Sequence, residues 1–242
     1  MQTKTLEIAV DGQRLAGTVA VPKTGVPGVL FLHGWAGNQE RDLDRAQTIA
    51  AFGCVCLTFD LRGHALTEVK RQTVTREDNL RDAVAAYDVL VSQPMVDASC
   101  IAVVGSSYGG YLAAFLSSLR PVKWMALRVP ALYRDADWST PKAELDRLVL
   151  NRYRRSLVRP EDNRVLGHCQ TFEGDVLIIE SERDNIVPHP AIASYVAAFT
   201  SARSLTYRVI EGADHALSDE RSRDAYNSLL AGWIKEMVLG AR

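Results

Sequence analysis

Ile101-Ala102-Val103-Val104-Gly105-Ser106-Ser107-Tyr108-Gly109 joins a short, wholly apolar run to a turn of small residues that opens a helical segment. The turn Gly105–Gly109 matches G-x-S-x-G, and its context matters more than the pattern. A sharp strand-to-helix turn needs small residues at both ends, because the backbone packs closely and the central residue is held in a strained conformation. Such a turn lifts the Ser107 hydroxyl clear of the sheet. The helix N-terminus behind it offers unpaired N–H groups and a positive dipole end to a developing oxyanion. Glycine-rich turns also join strands to helices without catalysis, and this one does not fit the G-x-G-x-x-G of dinucleotide sites.

Around this stretch lie further short apolar runs, Val29–Leu32, Val55–Phe59, Met125–Val129 and Val176–Ile179. Strands buried on both faces read this way, because helices cover both sides of a parallel sheet. Leu205–Ile210 supplies one more strand. Helical segments alternate with them at Glu77–Val91, which follows a Thr75-x-x-Asp78 capping pattern, and at Tyr108–Leu119, Ile192–Phe199 and Tyr226–Val238. Ahead of all these, Leu6–Val10 and Arg14–Val21 flank Asp11-Gly12, a hairpin signal. The βαβα order predicts an α/β fold: one domain over residues 1–242 with a doubly wound, mostly parallel sheet and right-handed crossovers.

At 242 residues, 47% hydrophobic and 24% charged, the chain can bury one sizeable core. A net charge of −1 with no long run of either sign makes neither nucleic acid nor an anionic membrane the expected partner. Met1–Val10 alternates polar and apolar residues and lacks an apolar h-region. No apolar stretch approaches the roughly 20 residues that span a bilayer, so a cytoplasmic location is expected. Cys54, Cys56, Cys100 and Cys169 lack the CxxC spacing of zinc or redox sites and read as buried, reduced thiols, with no metal implied.

A serine hydroxyl is a poor nucleophile and needs a base. Five histidines compete: His33, His64, His168, His189 and His215. In this topology the acid and then the histidine follow the serine along the chain. His215 sits in Gly212-Ala213-Asp214-His215, after the last strand and before the last helix, on the sheet edge where the Ser107 turn opens. His189 lies between two prolines at a helix start, which suggests a capping or surface role. For the acid, Asp184 follows Val176–Ile179 and can accept the His215 Nδ1 proton, fixing the tautomer. Glu182 is its stronger rival and Asp214 the weaker. After the first apolar run, Leu32-His33-Gly34-Trp35-Ala36-Gly37 offers the Trp35 amide to pair with that of Tyr108 as an oxyanion hole.

Taken together, His33–Gly37 (HGWAG), Asp60–His64 (DLRGH), Gly105–Gly109 (GSSYG), Glu182–Pro188 (ERDNIVP) and Gly212–His215 (GADH) resemble the α/β-hydrolase superfamily across nearly the whole chain. The compact esterases, the dienelactone-hydrolase-like enzymes and the catalytic domains of prolyl-oligopeptidase-type peptidases look closest. Asp60–His64 is similar to a D-x-R-G-x-G segment that is usually architectural there. Ser181 stands where many relatives carry glycine. Serine at position 107 departs from the cysteine and aspartate nucleophiles of other members. The resemblance implies acyl transfer to water without a cofactor; a small-molecule ester or amide is the expected partner, with a homodimer left as an open option. No propeller precedes the hydrolase-like region, which favours carboxylic esters over peptides or amides. A ligand-binding module that kept the fold without turnover is the rival from another class.

Ala131–Gly174 is far longer than an ordinary connection and is expected to form a small helical lid over the C-terminal edge of the sheet. Thr140-Pro141 reads as a helix start, with Leu145, Leu148, Val149 and Tyr153 as its apolar stripe. Lys142–Arg159 is basic. Its charges form a solvated face or, alternatively, bring Arg152, Arg154 and Arg155 to the pocket mouth to favour an anionic substrate.

Overall fold

Asp11 and Gly12 both take left-handed φ values, 47° and 70°, as a two-residue hairpin loop requires. They join β1 (Gln2–Val10) to β2 (Gln13–Val21). A computed structural model of the chain describes residues 2–21 and 27–240; Met1, at the head of the leading stretch, lies outside the described residues. After the hairpin come β3 (Pro27–Leu32), α1 (Glu40–Ala50), β4 (Val55–Phe59), α2 (Arg76–Val91), β5 (Asp97–Ser106) and α3 (Tyr108–Leu116). Then follow β6 (Trp124–Arg128), α4 (Arg147–Arg154), α5 (Arg164–Gln170), β7 (Asp175–Ser181), α6 (His189–Ala198), β8 (Ser204–Ile210) and α7 (Glu220–Gly240).

All eight strands share one sheet in the order β1-β2-β4-β3-β5-β6-β7-β8. The pairs β1–β2 and β2–β4 are antiparallel and every pair from β4 to β8 is parallel. Every residue of β3, β4, β6 and β7 is buried, because apolar layers lie on both faces. Leu80, Tyr87, Tyr111, Phe115 and Tyr195 build one layer from α2, α3 and α6; Ala46, Ile49, Leu230, Trp233 and Ile234 build the other from α1 and α7. The α2 start is the capping box its sequence suggests: Thr75 Oγ1 accepts from Asp78 N at 3.1 Å while Asp78 accepts from Thr75 N at 2.9 Å. Because β3 lies between β4 and β5, the chain leaves it in one direction and returns on the other side. The crevice beyond the C-terminal ends of β3 and β5 is where such sheets bind ligands.

The segment between β6 and β7 carries short helices, but not as its sequence suggested. After Thr140-Pro141 only a single 3₁₀ turn forms, Lys142–Glu144, and Leu145 is extended, so no α-helix starts there. The helix α4 starts instead after Asp146, whose carboxylate accepts from Leu148 N and Val149 N at 2.8 and 3.1 Å. This later start turns the inner face: Leu145, Leu150 and Tyr153 pack on the core while Leu148 is 78% exposed. Arg154 also faces inward, donating to the Leu132 and Ile186 carbonyls at 3.0 and 3.2 Å. The helix α1 is an element the sequence reading missed. Of the cysteines, Cys100 is half-buried beside the Lys123 ammonium rather than fully enclosed. Among the described residues no helix is long and apolar enough to cross a membrane.

Candidate active site

The turn between β5 and α3 is tight enough to forbid side chains at its ends. A Cβ on Gly109 would lie 1.9 Å from the Leu32 carbonyl oxygen, and one on Gly105 would lie 2.4 Å from that of Gly109. Between them Ser107 takes φ 52° and ψ −111°, a region that costs a non-glycine residue on the order of 1–3 kcal/mol. Its neighbours hold it there. Ser107 N donates to Arg128 O at 2.8 Å, and Ser107 O accepts from Ala131 N at 2.9 Å and Tyr111 N at 3.2 Å.

Facing this turn, the loop after β8 brings His215 Nε2 to 3.1 Å from Ser107 Oγ. The other ring nitrogen, Nδ1, lies 2.6 Å from Asp184 Oδ2 in the loop after β7. The Asp184 side chain is only 2% exposed, and its second oxygen accepts from the Ile186 and Val187 amides at 2.8 Å each. Such a carboxylate accepts only, so Nδ1 carries the proton and Nε2 presents a lone pair to the serine. The rivals are engaged elsewhere. Glu182 accepts from Gly212 N, Asp214 from Ser218, and His189 pairs with Glu180, while His168 meets the Phe115 ring.

The turn after β3 closes a third side. A Cβ on Gly34 would lie 3.4 Å from Ser106 O and 3.6 Å from Ser107 Cβ, so this backbone abuts the serine. The Trp35 and Tyr108 amides find no acceptor among the described residues. Two histidines pin the turn. His33 Nδ1 donates to Gly34 O at 2.8 Å while its Nε2 accepts from Leu61 N at 3.0 Å. His64 Nε2 accepts from Ala36 N at 3.1 Å, holding Ala36 at φ 61°. Burial, with His33 beside it, pushes the His64 pKa down to about 3, and burial lowers that of His33 too. Both rings are therefore neutral acceptors. The Asp60–His64 segment is architectural as its sequence suggested: Asp60 accepts from Gln39 N, and Arg62 forms a buried pair with Asp82.

Beside Ser107 and His215 opens a cleft of about 300 Å³, with Arg41, Asp42 and Arg45 of α1, Arg128 at the end of β6, and Tyr226 of α7 on its walls. No residue of the 131–174 segment lines it.

Residues 41–240 match the model of the prolyl oligopeptidase family. The chain belongs to that family. It is thus a hydrolase of the α/β-hydrolase fold. An uncharacterised Mycobacterium tuberculosis protein is 30% identical over 209 residues, which cover 85% of this chain and 69% of that protein. Solved structures agree on the fold. A dienelactone hydrolase from Anabaena variabilis aligns with a TM-score of 0.68 at 19% identity over 97% of each chain. The esterase domain of a Rhodothermus marinus protein gives 0.69 at 21% identity over 97% of this chain and 99% of that one. Est1E of Butyrivibrio proteoclasticus, solved with ferulic acid bound, gives 0.69 at 19% over 97% and 98%.

In this member of the prolyl oligopeptidase family, the residues that sequence reasoning missed are those of the cleft wall. Arg41, Asp42 and Arg45 sit on the helix that went unread, and Arg128 ends a strand that read as wholly structural. The available signal was Leu43, Ala46, Ile49 and Ala50 at helical spacing after the Gly34–Gly37 turn.

Proposed function

We propose that the protein is a serine hydrolase that cleaves a carboxylic ester of a small or medium substrate through an acyl-enzyme. The observation that carries this reading is the continuous relay from Ser107 Oγ to His215 Nε2, and from His215 Nδ1 to Asp184 Oδ2, at 3.1 and 2.6 Å.

The chemistry follows from that relay. Ser107 Oγ attacks the ester carbonyl while its proton passes to His215 Nε2. Asp184 holds the ring in place and stabilises the imidazolium. The carbonyl oxygen, now negative, meets the Trp35 and Tyr108 amides. Collapse of the adduct expels the alcohol, which takes the proton from His215. Water then attacks the acyl-enzyme with His215 again as base, and Ser107 is regenerated. Arg128 Nη1, donating to His215 O at 3.0 Å, steadies the histidine loop during both steps. The 131–174 segment packs beside the site rather than over the cleft: Arg154 ties it to two carbonyls, and the Lys142 ammonium lies 4.1 Å from the Trp35 ring centre.

Cleavage of a peptide or amide is the second reading, favoured by the match to the prolyl oligopeptidase family. A fluorophosphonate probe should label Ser107 and should not label a Ser107→Ala variant. In parallel, 4-nitrophenyl esters should turn over faster than peptide anilides. Absent labelling of the folded wild type would overturn the serine-nucleophile reading, and faster anilide cleavage would replace ester by amide.

A further inference from the structure

We infer that the cleft beside Ser107 is an anion subsite, and that the substrate carries a carboxylate a few bonds from the scissile carbonyl. This rests on the hydrolase reading above for its orientation, though not for the binding itself. Three guanidinium groups line the cleft, those of Arg41, Arg45 and Arg128, against the single carboxylate of Asp42. That carboxylate is already committed, since Asp42 Oδ1 accepts from Arg45 Nη1 at 2.8 Å. Of the two histidines on the cleft wall, His33 is neutral, as its acceptor role toward Leu61 N requires, and His215 is bonded to Asp184.

The arginines differ in a way that suits a ligand. Arg128 is 9% exposed and forms no salt bridge among the described residues; burial lowers its pKa. It donates to His215 O through Nη1 and lies 3.4 Å from Ser106 Oγ through Nε, and its Nη2 finds no acceptor among the described residues. The Tyr226 ring, 5.5 Å from its guanidinium, and the carboxylates of Asp184 and Asp42 beyond ion-pair distance offset only part of the cost of burying this cation, and an arriving carboxylate would offset more through a charged N–H···O contact. Arg45 is fixed by Asp42, by Asn227 Oδ1 at 2.7 Å and by its place 4.8 Å from the Tyr226 ring centre. Arg41 stands exposed, its guanidinium bonded to nothing among the described residues. The set runs from a buried fork through a braced wall to a free cation at the rim. Its neighbours Gly34–Gly37 and Ser107 place the anion beside the reacting carbonyl.

The test compares 4-nitrophenyl hemiglutarate with its neutral counterpart, 4-nitrophenyl pentanoate. The anionic ester should have a kcat/KM higher by about tenfold, the scale of one good charged hydrogen-bonded pair. Salt should shrink that ratio, since the cleft opens to solvent and the Debye length is about 10 Å at 0.1 M. Arg41→Gln should lower the ratio severalfold and Arg41→Glu should invert it. Arg152→Gln, on the exposed face of the 131–174 segment, should leave both rates as they were. Binding is read separately on Ser107→Ala by calorimetry, with monomethyl glutarate expected to bind more tightly than methyl pentanoate and to lose that advantage with Arg41→Glu. Equal rates for the two esters together with equal binding of the two ligands would overturn the inference and leave the hydrolase reading standing. Arg41-dependent binding without turnover of any ester would do the reverse.

Discussion

The two sides of the Ser107 turn are built from opposite materials. On the side of α2, α3 and the 131–174 segment, Trp35, Tyr108, Tyr111 and Tyr133 meet edge to face with centroids 4.8–5.9 Å apart. On the side of α1 and α7 stand arginines, an aspartate and an open cleft. The segment of unusual length therefore went into packing, while an ordinary helix, α1, makes the cleft wall. A long connection marks where a fold has been elaborated. It does not by itself mark where a ligand goes.

Ser107, the proposed nucleophile, sits on the seam between the two sides, and removing its hydroxyl should have the largest effect. Ser107→Ala should lower kcat for the preferred ester by about 10⁶ while thermal unfolding changes little, because the hydroxyl adds chemistry and almost no packing. A variant free of wild-type contamination that kept a tenth of the activity would remove Ser107 from its role, and Ser106 would be examined next.

Asp184→Asn should cost less, roughly 10⁴ in kcat; this is the known magnitude of tautomer loss in serine proteases rather than a value derived from the present geometry. The substituted amide would offer an NH₂ group where His215 needs an acceptor. Glu182→Gln should cost little, since Glu182 accepts from Gly212 N at 2.7 Å, away from the ring. The reverse ranking would sink the assignment of the acid.

The contrast between the two sides also explains what could be read from the sequence. The Ser107 turn was legible because its constraint is local: glycine at 105 and 109 is forced by carbonyls within 2.4 Å, and glycine is visible in one dimension. The meeting of His215 and Asp184 with Ser107 was legible through chain order. The roles of His33 and His64 were half legible, because a histidine that accepts from a backbone amide leaves no spacing pattern. The cleft was not legible at all. Arg41, Arg45 and Arg128 converge only when β6 and the start of α1 meet across β3 and β5, and no periodicity records that meeting. The misread phase of α4 has a similar cause. Asp146 competes with Thr140-Pro141 as a helix start, and packing of Leu150 and Tyr153 on the core decides between them.

The histidine pair that pins the Gly34–Gly37 turn gives a pH-dependent prediction. His64 has a pKa of about 3 when folded, against the ordinary 6.5 of the unfolded chain. Between those values the unfolded chain binds the extra proton, so stability rises with pH there and is lost on acidification. His33 shifts in the same direction. Denaturant unfolding at pH 7, 6 and 5 should show a loss approaching about 1.4 kcal/mol per pH unit from His64 below pH 6.5, with His33 adding to it in the same direction. His64→Gln should be less stable at pH 7, through loss of the Ala36 contact, and should have a flatter profile. Equal slopes in wild type and His64→Gln would show that His64 is not held neutral.

The smallest effect is expected from Lys142, and it bears most directly on the difference between the two sides. Its ammonium lies 4.1 Å from the Trp35 ring centre, 5.1 Å from that of Tyr108 and 5.5 Å from that of Tyr133. Ring faces attract a cation by roughly 0.5–2 kcal/mol. Desolvation acts against this: burial lowers the Lys142 pKa, with the Arg154 and Arg76 guanidinium groups adding to the fall and Tyr133 opposing it. A lysine whose pKa falls on folding destabilises the fold while it is charged, and that penalty fades as pH rises toward the unfolded value of 10.5. Lys142→Met keeps the apolar stem against the rings and removes the charge, so it should raise stability at pH 7 by about 1 kcal/mol. Denaturant unfolding reads this directly, and a clear loss of stability would mean that the rings outweigh desolvation. The same variant should leave the ratio of anionic to neutral ester turnover unchanged, because no residue of the 131–174 segment lines the cleft. If that ratio moved as far as it does in Arg41→Gln, the division of labour between an aromatic packing side and a basic binding side would be wrong.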